Sequence, residues 1–149
     1  MAHDNLDKWI DAIDWFHGDE YLRVIDQLDR DEEAGKTILP VPENILHPFT
    51  WFPPEETRVV LINDEPFLSQ EHATGLPLSV SPESTLLPPA LNNVLSELEL
   101  DVGVTAEHGC LNNWAQQGIL MLNLSMSVVE AESGSHWNLG WGGLIDDVC

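Results

Sequence analysis

The sequence predicts an α/β domain built on a parallel sheet flanked by helices, and three observations predict it. Val59-Val60-Leu61-Ile62 is a run of four branched aliphatics, the pattern of a strand covered on both faces. A second apolar run, Gly118-Ile119-Leu120-Met121-Leu122-Asn123-Leu124, has the same character. Stretches of helical period lie around and between them, and helix alternating with buried strand is the pattern of a parallel sheet. The 149 residues are read as one domain, residues 1–149, large enough to bury its own core. A hydrophobic content of 43% and six Trp exclude a disordered acidic chain.

The elements follow in order. Asp4 or Asn5 can cap a first helix that carries Leu6, Trp9, Ile10, Ile13 and Phe16 along one stripe and stops at Gly18. A second helix is expected from Asp19 to Gly35, with Leu22, Ile25 and Leu28 inward and Asp26, Asp29, Asp31, Glu32 and Glu33 outward. Residues 36–57 hold Leu39-Pro40-Val41-Pro42, His47-Pro48-Phe49 and Trp51-Phe52-Pro53-Pro54, and each Pro biases its predecessor away from helix, so this is an extended connection. The strand 59–63 comes next, then a loop over 64–87. Pro88-Pro89 opens a helix with Leu91, Val94, Leu95 and Leu98 buried. A loop over 101–109 and a helical turn at Trp114 lead to the second strand, and the tail from Trp137 to Val148 is helical with Trp141, Leu144 and Ile145 inward.

Charge is the strongest global signal. The net charge is −21, and all five cations, Lys8, Arg23, Arg30, Lys36 and Arg58, fall within the first 58 residues. The 91 residues from Val59 onward hold twelve Asp or Glu and no Lys or Arg, so polyanions are repelled from whatever site lies there. No apolar run is long enough to span a bilayer, and no basic-then-apolar leader precedes the first helix, so no membrane contact and a cytoplasmic location are expected. Cys110 and Cys149 do not make a disulfide framework, which fits a reducing compartment.

Parallel sheets place ligand sites at the carboxyl ends of their strands, so a site is expected at 63–68, where the first strand runs into Asp64-Glu65. The two carboxylates face different sides of the turn, and His72, His108 and His136 lack ligand spacing, so neither a metal nor a cofactor is expected. Ser125 and Ser127 lack the glycines of a nucleophile elbow. Asn123, at a strand end, reads as a satisfied turn residue or as a group that binds a base edge. Trp137 reads as part of a contact surface or as packed on a rearranged neighbour.

Several ordered segments resemble the uracil-DNA glycosylases. Val59 to Leu68 is similar to VVILGQDPYH, and Gly75-Leu76-Pro77-Leu78-Ser79-Val80 to GLxFSV. Pro88-Pro89-Ala90-Leu91 resembles PPSL, Trp114 to Asn123 resembles WAxQGVLLLN, and Ser135 to Trp141 resembles SHxxxGW. The departures fall at functional positions. The resemblance implies that the aspartate which positions water or stabilises the sugar cation is Glu65 here, and that the preceding glutamine is Asp64. The tyrosine that excludes a 5-methyl base is Phe67, its neighbouring histidine is Leu68, and the aromatic that stacks on a flipped base is Leu78. The phosphate-gripping serine is Ala90, whereas Asn123 matches the residue that hydrogen-bonds uracil. The family's HPSPLS segment, with its anion-stabilising histidine, is not reached before Cys149.

These departures and the charge lead to the expectation of a truncated, catalytically inactive scaffold. It would imitate DNA and occupy a basic DNA-binding protein, such as a restriction, defence or nucleoid protein, without binding nucleic acid itself. The expected acidic surface comprises Asp26, Asp29, Asp31, Glu32, Glu33, Glu55, Glu56, Asp64, Glu65, Glu71, Glu83, Glu97, Glu99, Asp101, Glu130 and Glu132. In the glycosylase sheet the strand equivalent to 59–63 has a further neighbour, so its outer edge is expected to be open and to pair with a second copy, with Val59 and Leu61 at the seam. The rival readings are a divergent glycosylase-like hydrolase using Glu65 and Asn123, and a halophilic protein whose acidity is salt adaptation.

Overall fold

The computed structural model describes residues 2–149, with side-chain surroundings from residue 4 onward. The amphipathic N-terminal stretch forms α1 (Ala2–Ala12), followed by a 3-10 turn over Asp14–His17 and by α2 (Asp19–Glu33). The helix starts ahead of the expected cap. Asn5 lies inside α1 and donates its Nδ2 to Thr50 O at 3.1 Å, tying the helix to the proline-rich connection. Trp9 adds a second tie by donating Nε1 to Phe52 O at 2.8 Å.

The inward face of α2 differs from the expected one. Val24, Leu28 and Asp31 are buried, a spacing of four and three residues that makes one helical stripe, while Leu22 and Ile25 are exposed. The stripe turns this way because Asp31 is anchored in the interior. Only 5% exposed, it accepts hydrogen bonds from Lys36 Nζ at 2.7 Å and Gln27 Nε2 at 3.2 Å, and its Oδ2 lies 3.0 Å from His136 Nε2. Behind His136 the chain of contacts continues, with Nδ1 lying 2.8 Å from Ser127 Oγ, which accepts from Trp141 Nε1 at 2.8 Å. The Asp31 carboxylate only accepts, so His136 Nε2–H donates to it. The order Ser-His-Asp matches a hydrolase triad, but all three residues are buried and Trp141 covers the serine, so no substrate reaches it. Asp31 therefore does not belong to an outer acidic face. The network welds α2 to the segment around residues 127–141.

The proline-rich connection carries β1 (Ile38–Leu39) and three 3-10 turns before β2 (Val59–Asn63). After a long loop come α3 (Pro89–Val102), the single turn α4 (Asn112–Ala115), β3 (Ile119–Asn123), β4 (Val128–Val129) and α5 (Trp141–Val148). β2 and β3 pair in parallel from Val59↔Ile119 to Asn63↔Asn123. β1 and β4 form a separate antiparallel pair, which the sequence pattern did not announce because each strand is two residues long. Gly118 makes the approach to β3 work, because its φ of +85° suits glycine and an added Cβ would lie 2.7 Å from Glu56 O.

The β2–β3 ladder separates two cores. Leu120 and Leu122 face the larger one with Trp9, Trp15, Phe16, Phe49 and Trp141, while Met121 faces the smaller one with Leu76, Leu78, Leu91, Leu95 and Leu111. Trp15 stacks on Trp141 with ring centroids 5.4 Å apart. β3 is buried along most of its length, but β2 is not covered on both faces as expected. Val59 is 52% exposed and Ile62 is exposed as well, because β3 is β2's one ladder partner among the described residues. Leu61 packs against the smaller core and so does not share Val59's exposure. No helix among the described residues is long and apolar enough to cross a membrane.

Burial raises the Asp31 pKa, but hydrogen bonds from Lys36 and His136 outweigh it and hold the carboxyl below its ordinary 3.8. A depressed folded-state pKa means that the carboxylate stabilises the fold fully above about pH 4, and that this stability is lost as pH falls through the folded-state value. Asp31→Ala, which strands His136 and Lys36, should cost about 3 kcal/mol in urea unfolding at neutral pH. The difference from wild type should shrink in acid.

Candidate active site

The carboxyl ends of β2 and β3 bring together Asn63, Asp64, Glu65 and Asn123, with the loop Pro66–Leu78 folded over them. Asn63 and Asn123 are register partners, and partners on adjacent strands project to the same face, so their amides meet: Asn63 Nδ2 lies 2.9 Å from Asn123 Oδ1. The same Nδ2 donates to Glu65 O at 3.0 Å. Backbone bonds Leu124 N to Asn63 O at 2.8 Å and Ser125 N to Asp64 O at 3.0 Å carry the parallel pairing past the last residues of both strands. Asn123 is 4% exposed, a buried polar group rather than a surface turn residue.

Asn123 lines a small cavity with Pro66, Phe67, His72, Leu76 and Leu78, of about 10 Å³, room for about one water molecule. Two features hold the lid over it. Gly75 has a φ of +99°, and a Cβ there would lie 2.7 Å from Asn44 O, so the loop approaches its neighbour in a way that only glycine allows. Leu78 is held at φ 64°, a left-handed conformation that costs a branched side chain roughly 1–3 kcal/mol, while its side chain is buried in the smaller core. The Phe67 and His72 rings meet edge to face at 6.1 Å, and Ser69 Oγ lies 3.0 Å from His72 Nδ1. The buried His72 Nε2 has no hydrogen-bond partner among the described residues.

Glu65 is half-buried and turned toward the segment before α5. Its carboxylate accepts hydrogen bonds from Ser133 Oγ at 2.5 Å, Gly134 N at 2.8 Å and Trp137 Nε1 at 3.1 Å. Trp137 is 58% exposed and borders a separate pocket with Asp64, Leu124 and Asn138. Asp64 itself is exposed and does not line the cavity that Asn123 lines. Phe67, Leu78 and Asn123 thus meet at one cavity, whereas neither Asp64 nor Glu65 lines it, and the Glu65 carboxylate is taken up by the turn at 133–137. Sequence reading placed Asn63 within the expected site at 63–68 without giving it a role, and weighed His72 only as a metal ligand; the Asn63↔Asn123 pairing becomes visible once the two strands are placed in parallel register.

Asp26, Asp29, Glu32, Glu33, Glu55, Glu56, Glu71, Glu83, Glu97, Glu99, Asp101, Glu130 and Glu132 are exposed. Among the described residues, no three His, Cys, Asp or Glu side chains come close enough to hold a metal.

No family model matches the chain. It is, however, 37% identical over 98% of its length to the uracil-DNA glycosylase of Lacticaseibacillus casei, covering 63% of that protein. A mimivirus uracil-DNA glycosylase crystal structure superposes with a TM-score of 0.84 at 25% identity, covering 95% of this chain and 55% of that one. A crystal structure of its Y322L variant in complex with UGI superposes at 0.83, with 24% identity, over 95% of this chain and 54% of that one. The fold and site therefore define a DNA-glycosylase-type α/β protein. The chain belongs to the uracil-DNA glycosylase family, and it spans about three fifths of the length of the curated relatives it matches.

These relatives overturn the expectation of an inactive DNA imitator. Proteins at 35–38% identity are named uracil-DNA glycosylases, which are enzymes, and nothing in the comparison marks this chain as inactive or as a decoy. The segments expected to be lost lie outside the compared stretch, so they say nothing against activity.

Glu65→Ala should free the turn at 133–137 and lower stability by about 1–2 kcal/mol, because it removes hydrogen bonds to a partly buried carboxylate. Acrylamide should then quench the Trp137 emission more readily; unchanged quenching would show that Glu65 does not hold the indole.

Proposed function

We propose that this chain carries the base-recognition centre of a glycosylase that hydrolyses the N-glycosidic bond of uracil in DNA. Asn123 hydrogen-bonds the base edge, and Glu65 orients the attacking water or stabilises the sugar cation. The observation behind the reading is the buried Asn123 amide in a cavity at the carboxyl end of the parallel pair, in a chain 35–38% identical to curated glycosylases. Phe67 and Leu78 supply the apolar walls, and His72 offers a second polar group whose Nε2 lacks a partner among the described residues.

In the closed form the cavity takes about one water, so a base enters only when Phe67 and Leu78 part. Charge shapes substrate binding in the opposite direction to an ordinary DNA-binding protein. With a net charge of −21 the chain repels phosphates, and added salt screens that repulsion.

Uracil release from a single-stranded oligonucleotide should therefore rise from low to physiological ionic strength and fall by roughly 100-fold or more in Glu65→Gln. Release that persists in that variant, or that is absent at every salt concentration, would refute the assignment.

The unpaired outer edge of β2, with Val59 exposed, supports pairing with a second copy. Sedimentation should give a dimer for the wild type and a monomer for Val59→Lys; a monomeric wild type removes the idea.

A further inference from the structure

We infer that the pocket bordered by Trp137 and Asp64 binds a small alkylated ammonium ion, seated on the open face of the Trp137 indole with its charge toward the Asp64 carboxylate. The pocket is separate from the cavity beside Asn123, and its recognition of a cation does not depend on uracil release.

Trp137 is the one exposed aromatic residue among the described residues, and its ring is held in place from two sides. The indole Nε1 donates to the Glu65 carboxylate at 3.1 Å, which ties one edge. An added Cβ on Gly134 would lie 3.6, 3.8 and 3.9 Å from Cδ2, Cε2 and Cε3 of the indole, near-equal distances that put the glycine over a face of the ring and not at its rim. One face is therefore seated, and with 58% of the residue exposed the other is open.

The opposite wall is placed by the strands. Leu124 N bonds Asn63 O at 2.8 Å and Ser125 N bonds Asp64 O at 3.0 Å, so Asp64 and Leu124 are fixed by the continuation of the β2–β3 pairing. With Ser125, Trp137 and Asn138 they enclose about 270 Å³. The pocket offers an aromatic face, the half-exposed Leu124 and the exposed Asp64 carboxylate, and no Lys or Arg lines it.

Each of these features favours positive charge. The face of an aromatic ring carries the negative lobe of its quadrupole and attracts a cation, most strongly in tryptophan. Donation of the indole N–H to Glu65 polarises the ring and strengthens that attraction. Asp64 adds a full negative charge. Methyl groups on the ammonium suit Leu124 and the ring, and they lower the cost of shedding water compared with a bare ammonium. A nucleobase could stack on the same face, but its strand would bring phosphates toward Asp64 and Glu65.

The test titrates the full chain, at physiological ionic strength, with choline and with 3,3-dimethylbutan-1-ol, which has the same shape without the charge. Binding is followed by the indole 15N–1H resonances and by calorimetry. Choline should move the Trp137 resonance and saturate with a dissociation constant on the order of millimolar. The neutral alcohol should bind roughly fivefold or more weakly. Trp137→Leu should weaken choline binding by roughly fivefold or more, and Asp64→Asn by roughly threefold, with circular dichroism showing that each variant is folded. Asp64→Asn changes an exposed side chain and leaves the Trp137–Glu65 bond in place, so it decides the matter if Trp137→Leu does not fold. The site is overturned if choline does not saturate, if it binds no better than the alcohol, or if either folded variant binds it as the wild type does. A shift of the Trp137 resonance that sodium chloride reproduces, or that thymidine produces at lower concentration than choline, overturns it as well.

Discussion

Five residue pairs of parallel β-ladder hold this molecule in its working arrangement. The register that sets Val59 opposite Ile119 also sets Asn63 opposite Asn123, and side-chain alternation along β3 sends Leu120 and Leu122 into one core and Met121 into the other. A slip by one residue would exchange these faces and place aliphatic side chains where the amides now meet. The aromatic wall of the larger core, the leucine-rich smaller core and the amide pair at the strand ends are therefore consequences of a single alignment.

The acidic character and the catalytic ancestry do not conflict once the charges are located. Among the sixteen positions first read as an outward acidic field, Asp31 is an interior strut and Glu65 is tied into a turn by three donors, while the others are exposed. Exposed carboxylates contribute to the protein's average potential, and that average acts on the rate of encounter with a polyanion. The cavity beside Asn123 is itself lined by apolar side chains, Thr74, an amide and an imidazole, and no carboxylate is among them.

The helices, the two main strands and the long loop were legible because each carries a repeating apolar pattern or a proline boundary. What escaped was set by tertiary partners. The inward face of α2 could not be read from hydrophobicity, since the residue that fixes it is an aspartate whose partner, His136, lies 105 positions away. β2 looked buried because its composition is that of a covered strand, yet burial depends on neighbours, and one of its edges has none among the described residues. Phe67, Leu78 and Asn123 were located through family resemblance. Asn63 and His72 were not, because their roles come from contacts that this chain makes and the family pattern does not specify. The functional conclusion failed for a different reason: substitutions at single motif positions and the point where the chain stops were weighed as loss of activity, although similarity across nearly the whole chain ties it to enzymes.

The cation-free run after Arg58 has a further consequence for how the chain comes apart. Trypsin finds no Lys or Arg between that point and Cys149, so digestion there leaves β2, β3, both asparagines and most of the cavity wall on one piece, while Pro40 and Ile45 of the cavity lie on the other. The helices that supply Trp9, Trp15 and Phe16 fall on the other side of the cut, joined to that piece through the larger core and through Asp31 and His136. The two halves are thus partners across a hydrophobic seam, and a nicked molecule has the means to stay assembled as a complementing pair.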